Sequence, residues 1–207
     1  MKARLFSIIS MGTIKIVFTV LVLSPGLVFA GDQKLQLDIL IDALVVCPPG
    51  DTRFVDNGDG TICDHQTGLM WEMKDASDGA ADLNNPHDVD NNYTWSSTGT
   101  APDGTAYTDF LARLNGTIAD TTLSEQLGGY RDWRLPTSAE LQTIVDCSFG
   151  SPCIDPTFGP TASPYYWSST SDASGPNGAW CVNFFSGLVN SLNKSLDRRV
   201  RAVRGGR

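Results

Sequence analysis

Three kinds of chemistry are within reach of the residue types in this chain. Asp88-Val89-Asp90-Asn91-Asn92, preceded by Asp82, Asn84 and Asn85, concentrates hard oxygen donors of the kind calcium takes. The run lacks the glycine and closing Glu of an EF-hand loop, so two expectations stand side by side. One is a calcium site on Asp88, Asp90 and Asn92 completed by backbone carbonyls, and the other is a solvated acidic loop. The second chemistry is covalent. Cys147 and Cys153 enclose only Ser148-Phe149-Gly150-Ser151-Pro152, a stretch that Gly and Pro can fold back, and their disulfide is expected. Cys47 and Cys63 form the second expected pair, which leaves Cys181 odd among the five cysteines; sequence alone does not fix the connectivity. The third chemistry is recognition. Trp95 lies in a polar stretch, where a ring is free to meet a sugar face, and Asn177, Asn190 and Asn193 lie in turns where their amides can reach a ligand. Catalysis is not expected. The only histidines, His65 and His87, sit in no nucleophile and base motif, and neither joins the cysteines at zinc-ligand spacing.

The elements that would hold these residues can be placed from periodicity and turn chemistry. Arg53-Phe54-Val55 and Thr61-Ile62-Cys63 flank the turn-rich Asp56-Asn57-Gly58-Asp59-Gly60, a hairpin pattern, and Leu69-Met70-Trp71-Glu72-Met73 follows as a buried strand. Residues 75–104 are crowded with Asp, Asn, Gly and Ser, too polar for a core, and read as a long irregular loop. Tyr107, Phe110, Leu111 and Leu114 share one face of a helix that ends at Gly116. A second helix starts at Thr137, which has a capping-box partner in Glu140, and it buries Leu141, Ile144 and Val145. Arg134, just ahead of that helix, suits a bidentate bond to a carboxylate. Strands return at Tyr165-Tyr166-Trp167, at residues 179–184, and at Val200-Arg201-Ala202-Val203, with a tight hairpin at Ser186-Gly187. Trp71, Trp133, Trp167 and Trp180 are expected in the core. The fold class is α+β: two short helices packed on antiparallel sheets, long irregular loops, and chain ends that meet in one sheet.

The N-terminal residues 1–30 have the layout of a signal peptide, with Lys2 and Arg4, an apolar run from Ile16 to Ala30, and small residues before a cut after Ala30. Residues 31–51 read as a leader whose helical and strand periods cannot be separated, and residues 52–207 as one domain. The apolar run is interrupted by Ser24-Pro25-Gly26, so no stable membrane span is expected after processing. Removal of residues 1–30 takes away Lys2, Arg4 and Lys15 and no acid, leaving 12 basic against 23 acidic side chains, a charge of −11. Such a chain is a poor partner for nucleic acid. Lys194, Arg198, Arg199, Arg201, Arg204 and Arg207 crowd the C-terminal end, which is expected to form a basic strand set against acidic neighbours, with an anion-binding patch as the other reading.

Several segments stand together in a recognisable order: Gly68-Leu69-Met70-Trp71-Glu72, Tyr93-Thr94-Trp95, Asp132-Trp133-Arg134-Leu135-Pro136-Thr137, Tyr166-Trp167-Ser168-Ser169-Thr170, Ala179-Trp180 and Val200-Arg201-Ala202-Val203-Arg204-Gly205. Over residues 52–207 the chain resembles the Lcl C-terminal domain family, named for the end domain of a bacterial collagen-like adhesin. The resemblance implies a C-type-lectin-like fold akin to that of formylglycine-generating enzymes, and adhesion at a cell surface. No Gly-X-Y repeats are present, so neither stalk nor trimerisation carries over. A charge of −11 suits a sulfated polymer poorly. The expected role is therefore an exported module, periplasmic, secreted or surface-bound, that binds an extracellular glycan or protein. The alternatives are a structural envelope protein packing with copies of itself, a homo-oligomer, and an enzyme on a formylglycine-generating-enzyme-like scaffold.

Overall fold

The computed structural model describes residues 46–47, 49–75, 77–118 and 127–206. The expected signal peptide 1–30 and most of the leader 31–51 lie outside the described residues. The described chain is mixed α/β, with antiparallel sheets and a few short helices.

Strands β1 (Phe54–Asp56), β2 (Thr61–Asp64) and β3 (Leu69–Glu72) form a meander that the late strand β9 (Val203–Gly205) completes, pairing Met70 with Arg204 and Trp71 with Val203. The two ends of the domain therefore share one sheet, as the pattern requires. Both faces of this sheet are covered. Ile62 and its cross-strand partner Trp71 point into one hydrophobic cluster with Leu141, Phe158, Tyr166, Val182 and Phe184. Cys63 and its partner Met70, on the opposite face, enter another with Trp95, Phe110, Trp133, Trp167 and Cys181. Period-two alternation sorts the same strands into two cores, which is why β2 and β3 are buried at every position. Each large side chain that is fully buried stabilises the fold by about 1.5–3 kcal/mol.

The second sheet is β5 (Tyr165–Ser171), β6 (Gly178–Asn183) and β7 (Val189–Asn193). It alternates in the same way: Trp167 and Cys181 face one core, Tyr166 and Val182 the other. The tight hairpin expected at Ser186-Gly187 joins β6 to β7 and is built on a four-residue turn. Asn183 closes it, receiving N–H bonds from Ser186 and Gly187 on its carbonyl and from Phe185 on Oδ1, while its own N–H donates to Leu188. Four residues, 184–187, thus make the connection, and Trp180 pairs with Ser191, two positions short of the Asn193 a two-residue turn would give it. A two-strand ribbon, β4 (Tyr93–Thr94) with β8 (Asp197–Arg198), joins the polar loop to the late chain.

Helix α1 begins as a π-helical stretch, Ala106–Leu111, and continues as an α-turn, Ala112–Leu114, burying Phe110, Leu111 and Leu114 as its spacing predicts. Gly116, at φ +63°, follows in the left-handed region that a side chain would disfavour. Helix α2 (Ser138–Thr143) has the expected capping box: Thr137 accepts from the Glu140 N–H, and the Glu140 carboxylate accepts from the Thr137 N–H. The same carboxylate takes both Arg134 terminal nitrogens at 2.8 and 2.6 Å, the bidentate bond the sequence suggested.

Candidate functional site

One set of residues that converges on open space lies at one end of the three-stranded sheet. There the β5–β6 connection meets the end of β7 around a cleft of about 230 Å³ lined by Asp172, Gly175, Asn177, Gly178, Ser191, Leu192 and Asn193. Local hydrogen bonds shape it. Asp172 Oδ1 accepts from the Ser174 N–H at 2.9 Å and the Ser174 hydroxyl at 2.7 Å, and the Asp172 N–H donates to the Gly178 carbonyl. The Ser174 and Ser191 hydroxyls and nearby N–H groups favour the charged form of Asp172 and hold its pKa down to about 2. Gly178 is required by close approach: a Cβ there would fall 2.6 Å from Ser191 Oγ. Asn193 Oδ1 turns the chain out of β7 by accepting from the N–H and hydroxyl of Ser195. The side-chain amide of Asn177 has no hydrogen-bond partner within the protein among the described residues.

Lys194 supports this end of the molecule from within. It is 1 % exposed, and its ammonium donates to the Thr100 carbonyl, the Ser171 hydroxyl and the Pro176 carbonyl at 2.8 to 2.9 Å, so all three protons are used. The ammonium also lies 4.0 Å from the centroid of the Trp95 ring. Burial lowers the Lys194 pKa.

Asn177 and Asn193 thus come together, while Asn190 does not line the cleft; its amide donates to the Tyr165 hydroxyl on the opposite face of β7. Trp95 is a correction. It is 3 % exposed, its indole N–H donates to the Ser168 carbonyl, and Tyr107 meets its ring edge-on at 5.3 Å, so it offers no face to a ligand. Trp180 is the converse correction: expected in the core, it is only partly buried, on the same sheet face as its partner Ser191, whose side chain lines the cleft. Its neighbours Trp71, Trp133 and Trp167 are buried as expected. Sequence reasoning missed Asp172, Ser191 and Trp180, because their convergence depends on a register that the four-residue turn sets.

The three residues of the calcium expectation are all engaged within the protein. Both Asp88 oxygens accept backbone N–H groups of the same loop, from Asp90 at 2.7 Å and Asp82 at 2.8 Å. Asp90 accepts from the Gly79 N–H and pairs with Arg199, and the Asn92 amide donates to the Asp90 carbonyl. These carboxylates close the loop on itself, and among the described residues no three His, Cys, Asp or Glu side chains gather as a metal cluster. Nor is the 75–104 segment only a polar excursion: it buries Val89, Tyr93 and Trp95.

A buried charged cluster anchors that loop. Glu72, 0 % exposed, receives Lys74 at 2.8 Å and His87 at 2.9 Å on Oε1 and the Ala202 N–H on Oε2. Burial alone would raise the Glu72 pKa, but the charges and hydrogen bonds of Lys74 and His87 hold it below its ordinary value. Arg201, equally buried, donates to the carbonyls of Glu72 and Phe158, and Arg204 pairs with Asp132 over the Tyr130 ring. The basic C-terminal run is therefore spent largely on interior carbonyls and acids.

The sequence profile of the Lcl C-terminal domain matches residues 60–204. The chain belongs to this family. No curated protein matches the chain. In this Lcl C-terminal domain the segments that carry the family likeness are interior and architectural: Trp133 donates its indole N–H to the Leu127 carbonyl, Arg134 clamps Glu140, and Trp167 donates its indole N–H to the Tyr93 carbonyl. The cleft lies in connections between those segments. Cysteines 47 with 63 and 147 with 153 form disulfides, and Cys181 is free and buried. Two disulfides suit an oxidising compartment, and no helix among the described residues is long and apolar enough to cross a membrane.

Proposed function

We propose that this Lcl C-terminal domain protein is an exported, non-catalytic binding module of C-type-lectin-like fold, acting in adhesion, and that it engages a glycan or surface protein through the Asp172, Asn177, Ser191 and Asn193 cleft. The observation that carries this reading is the free Asn177 amide beside a fixed carboxylate and a hydroxyl in one concave site, held from within by Lys194. The sheet that joins both chain ends, and the long loops, support the C-type-lectin-like assignment. The test is a glycan and protein array probed with the purified full-length protein and with Gly175→Leu. A Cβ at Gly175 meets only ordinary contacts at 3.8 to 3.9 Å, with Asn177 Oδ1 and Asp172 Oδ2, so the larger side chain blocks the cleft and leaves the fold. Hits lost in the variant are expected; hits kept in full would remove the cleft from the account.

One observation favours a second reading, an envelope protein that packs with copies of itself. At the other end of the same sheet Phe149, Phe185 and Leu188 are 51, 65 and 62 % exposed, on the short disulfide loop and the adjoining turn. Sedimentation of the parent against Phe185→Ser tests it.

A further inference from the structure

Resting on the cleft reading above, we infer that the ligand class is an uncharged, hydroxyl-rich sugar, bound one ring at a time, and that sulfated and uronate-bearing chains are rejected.

Size gives the first constraint. A volume of 230 Å³ is below the roughly 300–1,000 Å³ of sites that engulf drug-sized ligands. A single pyranose ring fits such a space, with the rest of a chain running out to solvent. The polar lining gives the second. Hydroxyl groups both donate and accept, and the cleft offers both capacities at short spacing: an acceptor-only carboxylate on Asp172, a free amide with two donors and an acceptor on Asn177, and the oxygen of the Ser191 hydroxyl, whose proton goes to Asp172. The third is apolar. Trp180, partly buried and just outside the lining, stands beside Ser191 on the same face, where the accessible part of its indole can pack on the C–H face of a sugar ring.

Charge decides among sugars. Asp172 is the only charged residue among those lining the cleft. Lys194 follows Asn193 directly, but its ammonium is turned inward and saturated by Thr100, Ser171 and Pro176, so it offers a sulfate nothing. An anionic substituent entering the cleft would lose water and meet a fixed carboxylate without a counter-charge. A neutral hydroxyl at the same place gains a charge-assisted bond. The cleft therefore selects against the charge that a basic patch would select for.

The test immobilises four probe sets: neutral hexose oligosaccharides, N-acetylhexosamine oligosaccharides, oligouronates and heparin-derived sulfated oligosaccharides, with a panel of extracellular matrix proteins beside them. The purified full-length protein is applied with Trp180→Ala, Asn177→Ala and Asp172→Asn, each checked for a parental melting temperature. Binding is expected on one or both uncharged sets, and not on the two anionic sets. Losing one charged hydrogen bond, Asp172→Asn should weaken it about tenfold, and Trp180→Ala and Asn177→Ala should weaken it without altering the melt. Preferential binding of the heparin or uronate probes overturns the inference, as does neutral binding that all three variants retain. Binding to matrix proteins alone, abolished by Asn177→Ala, overturns the sugar class and leaves the binding-module reading standing. No binding to any probe by the parent sinks both.

Discussion

The polar loop 75–104 and the aromatic sheet β5–β6–β7 exchange the roles that their compositions suggest. The loop is crowded with Asp, Asn and Ser, yet it buries Tyr93 and Trp95 and spends its carboxylates on its own N–H groups. The sheet contains Tyr165, Tyr166, Trp167 and Trp180, yet one end of it leaves an amide and a carboxylate open in a cleft. Composition reports what a segment can hydrogen-bond to, not whether the partner is water. In the loop the partners are internal, and the cost of burying polar groups is offset by saturating them.

The sharpest break of that comparison is at Glu72. Removing its charge leaves Lys74 buried without its counter-ion, so Glu72→Gln should lose about 3–5 kcal/mol in urea denaturation, or fail to fold. The paired change Glu72→Leu with Lys74→Met should recover much of the loss. The pH dependence has a definite sign. Because the folded pKa of Glu72 lies below the ordinary 4.5, its contribution is complete above that value and is lost as pH falls through the folded pKa. Parent protein should show a steeper acid limb below about pH 4.5 than the double variant, and equal slopes would remove Glu72 from the cause.

Next come the two tryptophans whose places were exchanged. Trp95→Phe orphans the Ser168 carbonyl and opens a small void, a loss of about 1–3 kcal/mol. Trp180→Phe, at a partly buried ring, should cost less, about 0.5 kcal/mol. Similar losses from the two would erase the distinction between loop and sheet. Smallest is Asp172→Asn, expected to melt at the parental temperature because the site is solvent-facing. A lowered melting temperature would mark Asp172 as a turn-forming residue more than a ligand contact.

What the sequence made legible was local. The Thr137 and Glu140 capping box, the Arg134 clamp and the Cys147–Cys153 loop each involve partners within six residues, so spacing alone defines them. Trp95 was misplaced because its partner Ser168 is 73 positions away, and nothing near Trp95 announces it. The chain also contains a coincidence of letters with a physical outcome. Trp95-Ser96-Ser97-Thr98 and Trp167-Ser168-Ser169-Thr170 share no further similarity, yet each indole donates to a backbone carbonyl beside the other, Trp95 to Ser168 and Trp167 to Tyr93. Asp88, Asp90 and Asn92 read as oxygen donors for a metal because sequence does not reveal that Asp88 and Asp90 accept the loop's own amides.

The segment 197–205 touches every sheet: β8 pairs with β4, Arg199 bridges to Tyr166 of β5, and Val203 joins both Arg134 and β3. A chain emerging from its N-terminus can close hairpins as they appear, but it cannot lock its sheets together until this late stretch arrives. Contacts such as Arg201 with Glu72, 129 positions apart, form last and carry the largest loop-closure cost. Until then both cores are half-covered. The nascent domain therefore stays pliable while its first strands are made, and it becomes a rigid body only when β9 has paired with β3.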